Sequence, residues 1–376
     1  MATARYIDIH LLHTVPYANL NRDDLGSPKT VRFGGVERTR VSSQCWKRAV
    51  RLALEESSGD AAKRTRRVPL EVADRLRARG WADELATFAG QQIAASITSK
   101  GLGLEKNGGT SVLLYLPARA FDELTTLCVD HQEALAAAHA SGGKKKAEKT
   151  ETLPRDRVAE IIAGRNSVIN LFGRMLADVP TSHVDGAVQV AHAFTVHGTS
   201  PEVDFFTAVD DLNKEAEETG SGHMNSGEFS AGTFYRYASI NLADLAKNLD
   251  GDADLAAQLA ADFISAFITT MPEAKKNSTA PFTVPDLAYV AARADRPVSL
   301  ASAFEAPVNA YMEGGYGSRA QQTLNDYVGR IHKLLGTDGL IRHAHATTGD
   351  KLDGLGEQVE SFPQLVRLAI GQAEPQ

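Results

Sequence analysis

The 376-residue sequence predicts an α+β fold: a modified ferredoxin-like, or RRM-type, sheet interrupted by two insertions. Three observations lead there. Strand and helix patterns follow the order strand, helix, strand, strand, helix, strand. A mainly helical stretch, 59–166, separates the first helix from the second strand pattern, and a polar Gly- and Ser-containing excursion, 198–232, is too long for an ordinary hairpin connection.

Residues 6–13 alternate as a strand, and the polar stretch 19–35 reads as a long loop. Ser42 or Ser43 can cap the next element, a helix over 44–56 that lacks Gly and Pro and stops near Ser57-Ser58-Gly59. At roughly 100° per residue, Trp46, Ala49, Val50 and Ala53 share one face. Lys47, Arg48 and Arg51 gather on the opposite one, so this helix carries a cationic outer stripe. Helical patterns at 70–79, 81–99 and 121–140, with a short apolar run at 111–116, fill the first insertion, and the basic run 141–149 reads as a solvated flexible loop.

Strand patterns return at 167–176 and 187–197. In the second, Val188, Val190, His192, Phe194 and Val196 point one way and Gln189, Thr195 and His197 the other. A strand at 233–242, a helix at 253–270 and a strand at 287–294 complete the core, and helices at 319–335 and 363–372 finish the chain. The expected organisation is therefore a core of 1–58, 167–197 and 233–376, a helical insertion at 59–166 and a second insertion at 198–232.

A hydrophobic share of 43% and a charged share of 23% suit a folded globular chain and exclude a disordered or fibrous one. The net charge of −7 argues against a uniformly basic nucleic-acid binder, but its distribution matters more than its sum. Through residue 70, thirteen Lys or Arg stand against seven Asp or Glu, a local balance of +6 that leaves −13 for the remainder. Such polarity suits a basic groove on an acidic body, and head-to-tail contact between copies. No apolar run approaches the roughly 18 residues of a spanning helix and no signal-peptide pattern opens the chain, so a cytoplasmic protein without a membrane partner is expected. Cys45 and Cys128 are expected to be reduced thiols, too few for a four-thiolate zinc site.

The usual catalytic signatures are missing. Gly101-Leu-Gly103 lacks the third glycine of a dinucleotide fingerprint, and Gly142-Gly143-Lys144 lacks the Walker spacing. There is no His-Glu-x-x-His and no Gly-x-Ser-x-Gly. Cys45 beside His10 or His13 reads better as an inert buried thiol than as a nucleophile. The pairs His192 with His197 and His343 with His345 lack a third ligand of clear spacing. No catalytic residue, metal site or cofactor is expected. One alternative stays open: Asp23-Asp24, or Asp210-Asp211, could hold a divalent cation for a metal-dependent ribonuclease, although adjacent loop acids are more often turn residues.

What remains is a phosphate-binding constellation. Asn21 and Arg22 precede those acids, and Lys29, Arg32, Arg38 and Arg40 lead into the helix that carries Lys47, Arg48 and Arg51. Cations along a groove can engage successive phosphates, and the amides of Ser42 and Ser43 at the helix start add dipole-oriented donors. The competing reading is a solvated basic face. Gly34-Gly35 tilts the balance toward close approach of a polynucleotide backbone.

These residues fall in blocks that resemble the CasC family, the backbone subunit of the type I-E CRISPR Cascade complex. The blocks include Leu20-Asn-Arg-Asp-Asp24, Phe33-Gly-Gly35, Arg40-Val-Ser-Ser-Gln44, Lys47-Arg48-Ala49 and Phe172-Gly-Arg-Met175. They continue through Val184-Asp-Gly-Ala187, Ala191-His-Ala193, Phe206-Thr-Ala-Val-Asp-Asp211, Phe234-Tyr-Arg-Tyr-Ala238 and the segment 272–275. The resemblance implies a right hand, with a modified RRM palm, the helical insertion as fingers and 198–232 as thumb. It implies copies stacked along a guide crRNA, each thumb near its neighbour, with regularly spaced nucleotides displaced and the rest displayed for pairing with target DNA in antiviral defense. Other Cascade subunits are implied as further partners.

By the same resemblance, Asn21, Arg22, Lys47, Arg48 and Arg51 would contact guide phosphates. Lys29, Arg40, Ser42, Ser43 and Gln44 join that RNA-binding set, Lys275 and Lys276 form a basic pair near the nucleic-acid track, and Met175 and Met224 act as apolar wedges. The chemistry is consistent: a protein that accepts any guide must hold phosphate and ribose and avoid base edges, and a thioether has no strong preference for one base. Phe234, Tyr235 and Tyr237 do not form the aromatic RNP1 pattern, so they are expected in the core rather than stacked on bases.

Overall fold

The computed structural model describes residues 3–98, 100–141, 152–176, 179, 182–208, 223–312 and 314–372. Nearly all of the basic run 141–149, and Asp210-Asp211, lie outside the described residues. Two compact units emerge: Met1–Leu54, Val188–Ala246 and Asp252–Gln376 make the first, and Glu55–Ala187 with Lys247–Gly251 the second.

In chain order, β1 (Tyr6–Ala18), β2 (Thr30–Phe33) and β3 (Val36–Val41) lead into α1 (Ser43–Ser58). Then come β4 (Ala62–Thr65), α2 (Val68–Ala78), α3 (Asp83–Ser96), β5 (Leu114–Pro117), α4 (Ala120–Asp130), α5 (Gln132–Ala140), α6 (Arg155–Ala163) and α7 (Ser167–Phe172). There follow β6 (Val188–Val190), β7 (Ala193–Thr195), β8 (Glu202–Ala208), β9 (His223–Asn241), α8 (Leu242–Asn248), α9 (Ala253–Thr269) and α10 (Lys276–Thr279). The chain closes with β10 (Leu287–Arg293), α11 (Gly317–Leu335), β11 (Leu340–Thr347), β12 (Glu357–Gln358) and α12 (Phe362–Ile370).

The first unit holds a ten-stranded sheet in the order β12-β11-β10-β1-β9-β7-β3-β2, with β6 and β8 also paired to β9. Every pairing is antiparallel except β11 with β12. Both faces of its centre are covered, which the alternation along β9 makes possible: Phe234 packs with Trp46, Val15, Val41 and Leu20, whereas Tyr235 packs with Leu12, Tyr289, Phe304, Leu324 and Val328. α1 contributes to the first face through Trp46, Val50 and Leu54, buried at i, i+4 and i+8. α11 contributes to the second through Ala320, Leu324 and Val328. Phe234 and Tyr235 are thus core residues, and Tyr237 is half-buried, packed against the second cluster. The second unit packs its helices and the β4–β5 pair around Val72, Leu76, Ile93, Leu114, Leu124, Leu135 and Ile161.

Several elements differ from expectation. Residues 167–172 form α7, not a strand, because Asn166 caps it, its Oδ1 accepting from the Ile169 amide at 3.1 Å. A short apolar run does not distinguish the two structures by periodicity alone. The loop 19–35 contains β2, and 121–140 breaks into α4 and α5 at His131. The excursion 198–232 includes a two-stranded ribbon, β8 against the first half of β9.

The strand expected over 187–197 is two strands in different registers. Val190 pairs with Ala238, but Phe194 pairs with Tyr235, so one extra residue is accommodated around Ala191 and His192. A one-residue slip exchanges the faces. His192 is therefore exposed rather than aligned with the core valines, and Thr195 and His197 are buried.

Candidate nucleic-acid interface

The start of α1 organises the predicted cations of the first unit. Asn21 Oδ1 accepts from the Ser42 amide at 2.9 Å, and Ser42 Oγ accepts from the Cys45 amide at 3.3 Å, so both residues shape the turn into the helix. Two backbone hydrogen bonds, Lys29 N to Asn21 O and Arg40 N to Lys29 O, hold the loop and strand together beneath them. Lys29, Arg40 and Ser43 thus cluster at a helix N-terminus, where positive potential is already present.

His192, which the sequence did not single out for binding, completes the cluster. Arg40 Nη1 lies 3.1 Å from its Nδ1, and the Ser43 amide donates to the same atom at 3.2 Å. Both partners can only donate, so Nδ1 must be the unprotonated nitrogen and the ring proton belongs on Nε2. Partial desolvation by its neighbours, with the charges of Arg40 and Lys29 adding to it, holds this imidazole below its ordinary pKa. The signal available in sequence was the break in alternation at Ala191-His192, legible only once β9 shows the register slip.

Along α1, Arg48 is exposed while Lys47 and Arg51 are half-buried, so the cationic stripe is narrower than helix geometry alone predicts. Gln44 and Arg22 are exposed. Lys276 bonds Glu273 at 2.6 Å, and this bond, with Arg48 adding a smaller share, keeps the Glu273 carboxyl below the usual range. The Lys275–Lys276 segment therefore lies in the electrostatic neighbourhood of α1. Lys275 is exposed and adopts a left-handed backbone, φ +58°, at the start of α10. Burial pushes the Cys45 thiol up despite Arg48 and Lys29, which leaves it a poor thiolate.

Some candidates serve the fold. Arg38 is buried and donates to the carbonyls of Phe33, Thr195, Phe304 and Glu305, so it is unavailable to phosphate. Gly34 and Gly35, both at positive φ, form the two-residue turn joining β2 to β3. The backbone that closely approaches Gly34 is the protein's own: a Cβ there would lie 1.6 Å from the Glu305 carbonyl oxygen.

Asp23 Oδ1 accepts from the amides of Leu25 and Ser27, which makes it the pivot of a tight turn. Among the described residues, no three His, Cys, Asp or Glu side chains group as metal ligands. Met224 lies on β9 opposite Thr207. Met175 belongs to the second unit and is 82% exposed. No helix among the described residues is long and apolar enough to cross a membrane.

Comparison with known proteins gives the family. No curated protein sequence matches. Among the solved structures that do, a chain of a "CRISPR RNA-guided surveillance complex, pre-nicking" is 51% identical with a TM-score of 0.91, over 97% of this chain and 99% of that one. A chain of a "CRISPR RNA-guided surveillance complex" is 43% identical with a TM-score of 0.80, over 98% and 100%. The family model described as CT1975-like protein matches residues 7–367. The chain belongs to the CT1975-like protein family, in agreement with the CasC resemblance of its sequence blocks.

Proposed function

We infer that this protein is a crRNA-binding backbone subunit of a CRISPR Cascade complex, assembling in several copies along a guide RNA and leaving its bases free to pair with target DNA. The carrying observation is the likeness, over nearly the whole chain, to chains of RNA-guided surveillance complexes. Lys29, Arg40, Ser43, Lys47, Arg48 and Arg51, with Arg22, Gln44, Lys275 and Lys276, are the groups we assign to phosphate and ribose. Asn21 and Ser42 set the helix start beside them, and His192 joins the set as a neutral donor through Nε2. Met175 and Met224 are assigned to the displaced nucleotides.

The run β10-β1-β9-β7, antiparallel throughout, supports a modified RRM palm. With both sheet faces packed, bases have no open aromatic platform, and binding falls to the α1 region. Binding without sequence preference follows, because these groups address the sugar-phosphate strand. The protein acts by holding RNA rather than by chemistry on it; the ribonuclease reading loses its best carboxylate to the Asp23 turn.

Co-expression with partner subunits and a guide, followed by the absorbance ratio of the purified assembly and sizing of the extracted RNA, tests this. One guide-length RNA species is expected. Protein free of nucleic acid would overturn the inference.

A further inference from the structure

The segment Gly173-Arg174-Met175-Leu176, within the second unit, alternates sharply in burial. Arg174 is 3% exposed and Leu176 7%, whereas Met175 between them is 82% exposed. Arg174 exchanges both backbone hydrogen bonds with Val184, each 2.8 Å, so the chain is locally extended and Met175 points away from its buried neighbours.

Beneath it the Arg174 guanidinium is heavily engaged. Nε donates to the Ser182 carbonyl at 2.7 Å, Nη1 to those of Gly164 at 2.7 Å and Tyr115 at 3.2 Å, and Nη2 to that of Ala163 at 2.7 Å. These bonds tie the C-terminal turn of α6, strand β5 and Ser182 into one knot. Its charge is met by carbonyl dipoles at a helix C-terminus, where a cation is favoured. Burial, and secondarily Arg165, lower its pKa to about 10, so it stays charged at neutral pH. The backbone is set as tightly: Gly173 has φ +78°, and a Cβ there would lie 2.6 Å from the Gly186 amide nitrogen.

An exposed methionine alone would be unremarkable. One that its own unit leaves in solvent, on a backbone anchored this firmly, has the form of a preorganised contact. We propose that Arg174 is a positioning residue, its planar fork holding Met175 outward as a fixed apolar wedge against a nucleotide. This rests on the reading of Met175 given above. Lysine cannot replace the fork, because one ammonium cannot reach carbonyls on three segments in a fixed plane.

The test uses complexes assembled on guides carrying a fluorescent purine analogue at successive positions, where unstacking raises emission. Wild-type complexes are expected to show bright positions that dim in Met175→Ala. Arg174→Lys is expected to dim the same positions at unchanged RNA content per complex. A purely structural role would instead reduce the yield of complexes and leave the emission of each unchanged, which would overturn the proposal. Should Arg174→Lys fail to assemble, Arg174→Gln takes its place, since a single amide group keeps a donor without charge but cannot span the carbonyls of Ser182, Tyr115 and Ala163–Gly164. Dimming there supports the proposal and wild-type emission overturns it. Undimmed Met175→Ala would remove the reading of Met175, and the proposal with it.

Discussion

Arg40 Nη1 donates to His192 Nδ1 at 3.1 Å, and the imidazole that accepts this bond is thereby held neutral at the start of α1. The bulge around Ala191 and His192 is what brings the ring out of the sheet to meet Arg40. A hydrogen bond of this kind is worth about 1 kcal/mol, or roughly fivefold in affinity if it orients Arg40 for phosphate. His192→Ala is expected to weaken guide binding by about that factor, while His192→Asn, which keeps an acceptor in place, stays near wild type. Titration of labelled RNA with each variant checks this, and equal losses in both would contradict an orienting role.

Gly34→Ala is expected to destabilise the first unit by at least about 1–3 kcal/mol, because the left-handed backbone and the Glu305 carbonyl both oppose a Cβ. Chemical denaturation measures it. Gly35→Ala meets no atom within 4 Å and should cost less, through its φ of +82° alone.

Acid stability follows from groups buried in the sheet. His10 and His13 are lowered to about 3 by burial, with Arg293 and Arg236 respectively adding to it, and burial raises Asp8 to about 6. As pH falls below 6.5, the unfolded chain takes up two imidazole protons that the folded chain refuses, so stability declines. Below about pH 6 the folded chain gains the Asp8 proton, which the unfolded chain refuses until near 3.8, and this offsets one of the two. A net slope of at least roughly 1.4 kcal/mol per pH unit is expected between about pH 6 and 4, with stability lost toward acid, since His343, which burial lowers to about 4, acts in the same direction. Denaturant midpoints across that range read it, and stability rising toward acid would contradict the burial of these histidines.

Labelled RNA incubated with the purified protein and Mg²⁺ is expected to remain intact, and Asp23→Ala to alter only the turn at Leu25–Ser27. Cleavage by the wild-type chain that Asp23→Ala abolishes would restore the ribonuclease reading.

Much of this architecture was legible because it rests on simple periodicities. Trp46 and Val50 of the apolar face read from sequence are buried on α1, where Leu54 rather than Ala53 completes the stripe, and the alternation of 6–13 reveals the central strand. What escaped depends on partners distant in sequence. The phase change at His192 exists only relative to β9, the helical state of 167–172 only through the Asn166 cap, and the inward turn of Arg38 largely through carbonyls more than 150 residues away. Cations look alike in sequence whether they face phosphate or a carbonyl cage. Arg38, Arg174 and Arg236 are buried while Arg22 and Arg48 are exposed, a division no local pattern encodes.

The most direct measurement is the RNA retained by Lys47→Glu, Arg48→Glu, Arg51→Glu protein, co-expressed with its partners and a guide. Reversing three charges should abolish guide-dependent assembly while circular dichroism and thermal unfolding of the isolated chain stay close to wild type. Undiminished guide in the variant assembly would show that the α1 cations do not grip the strand.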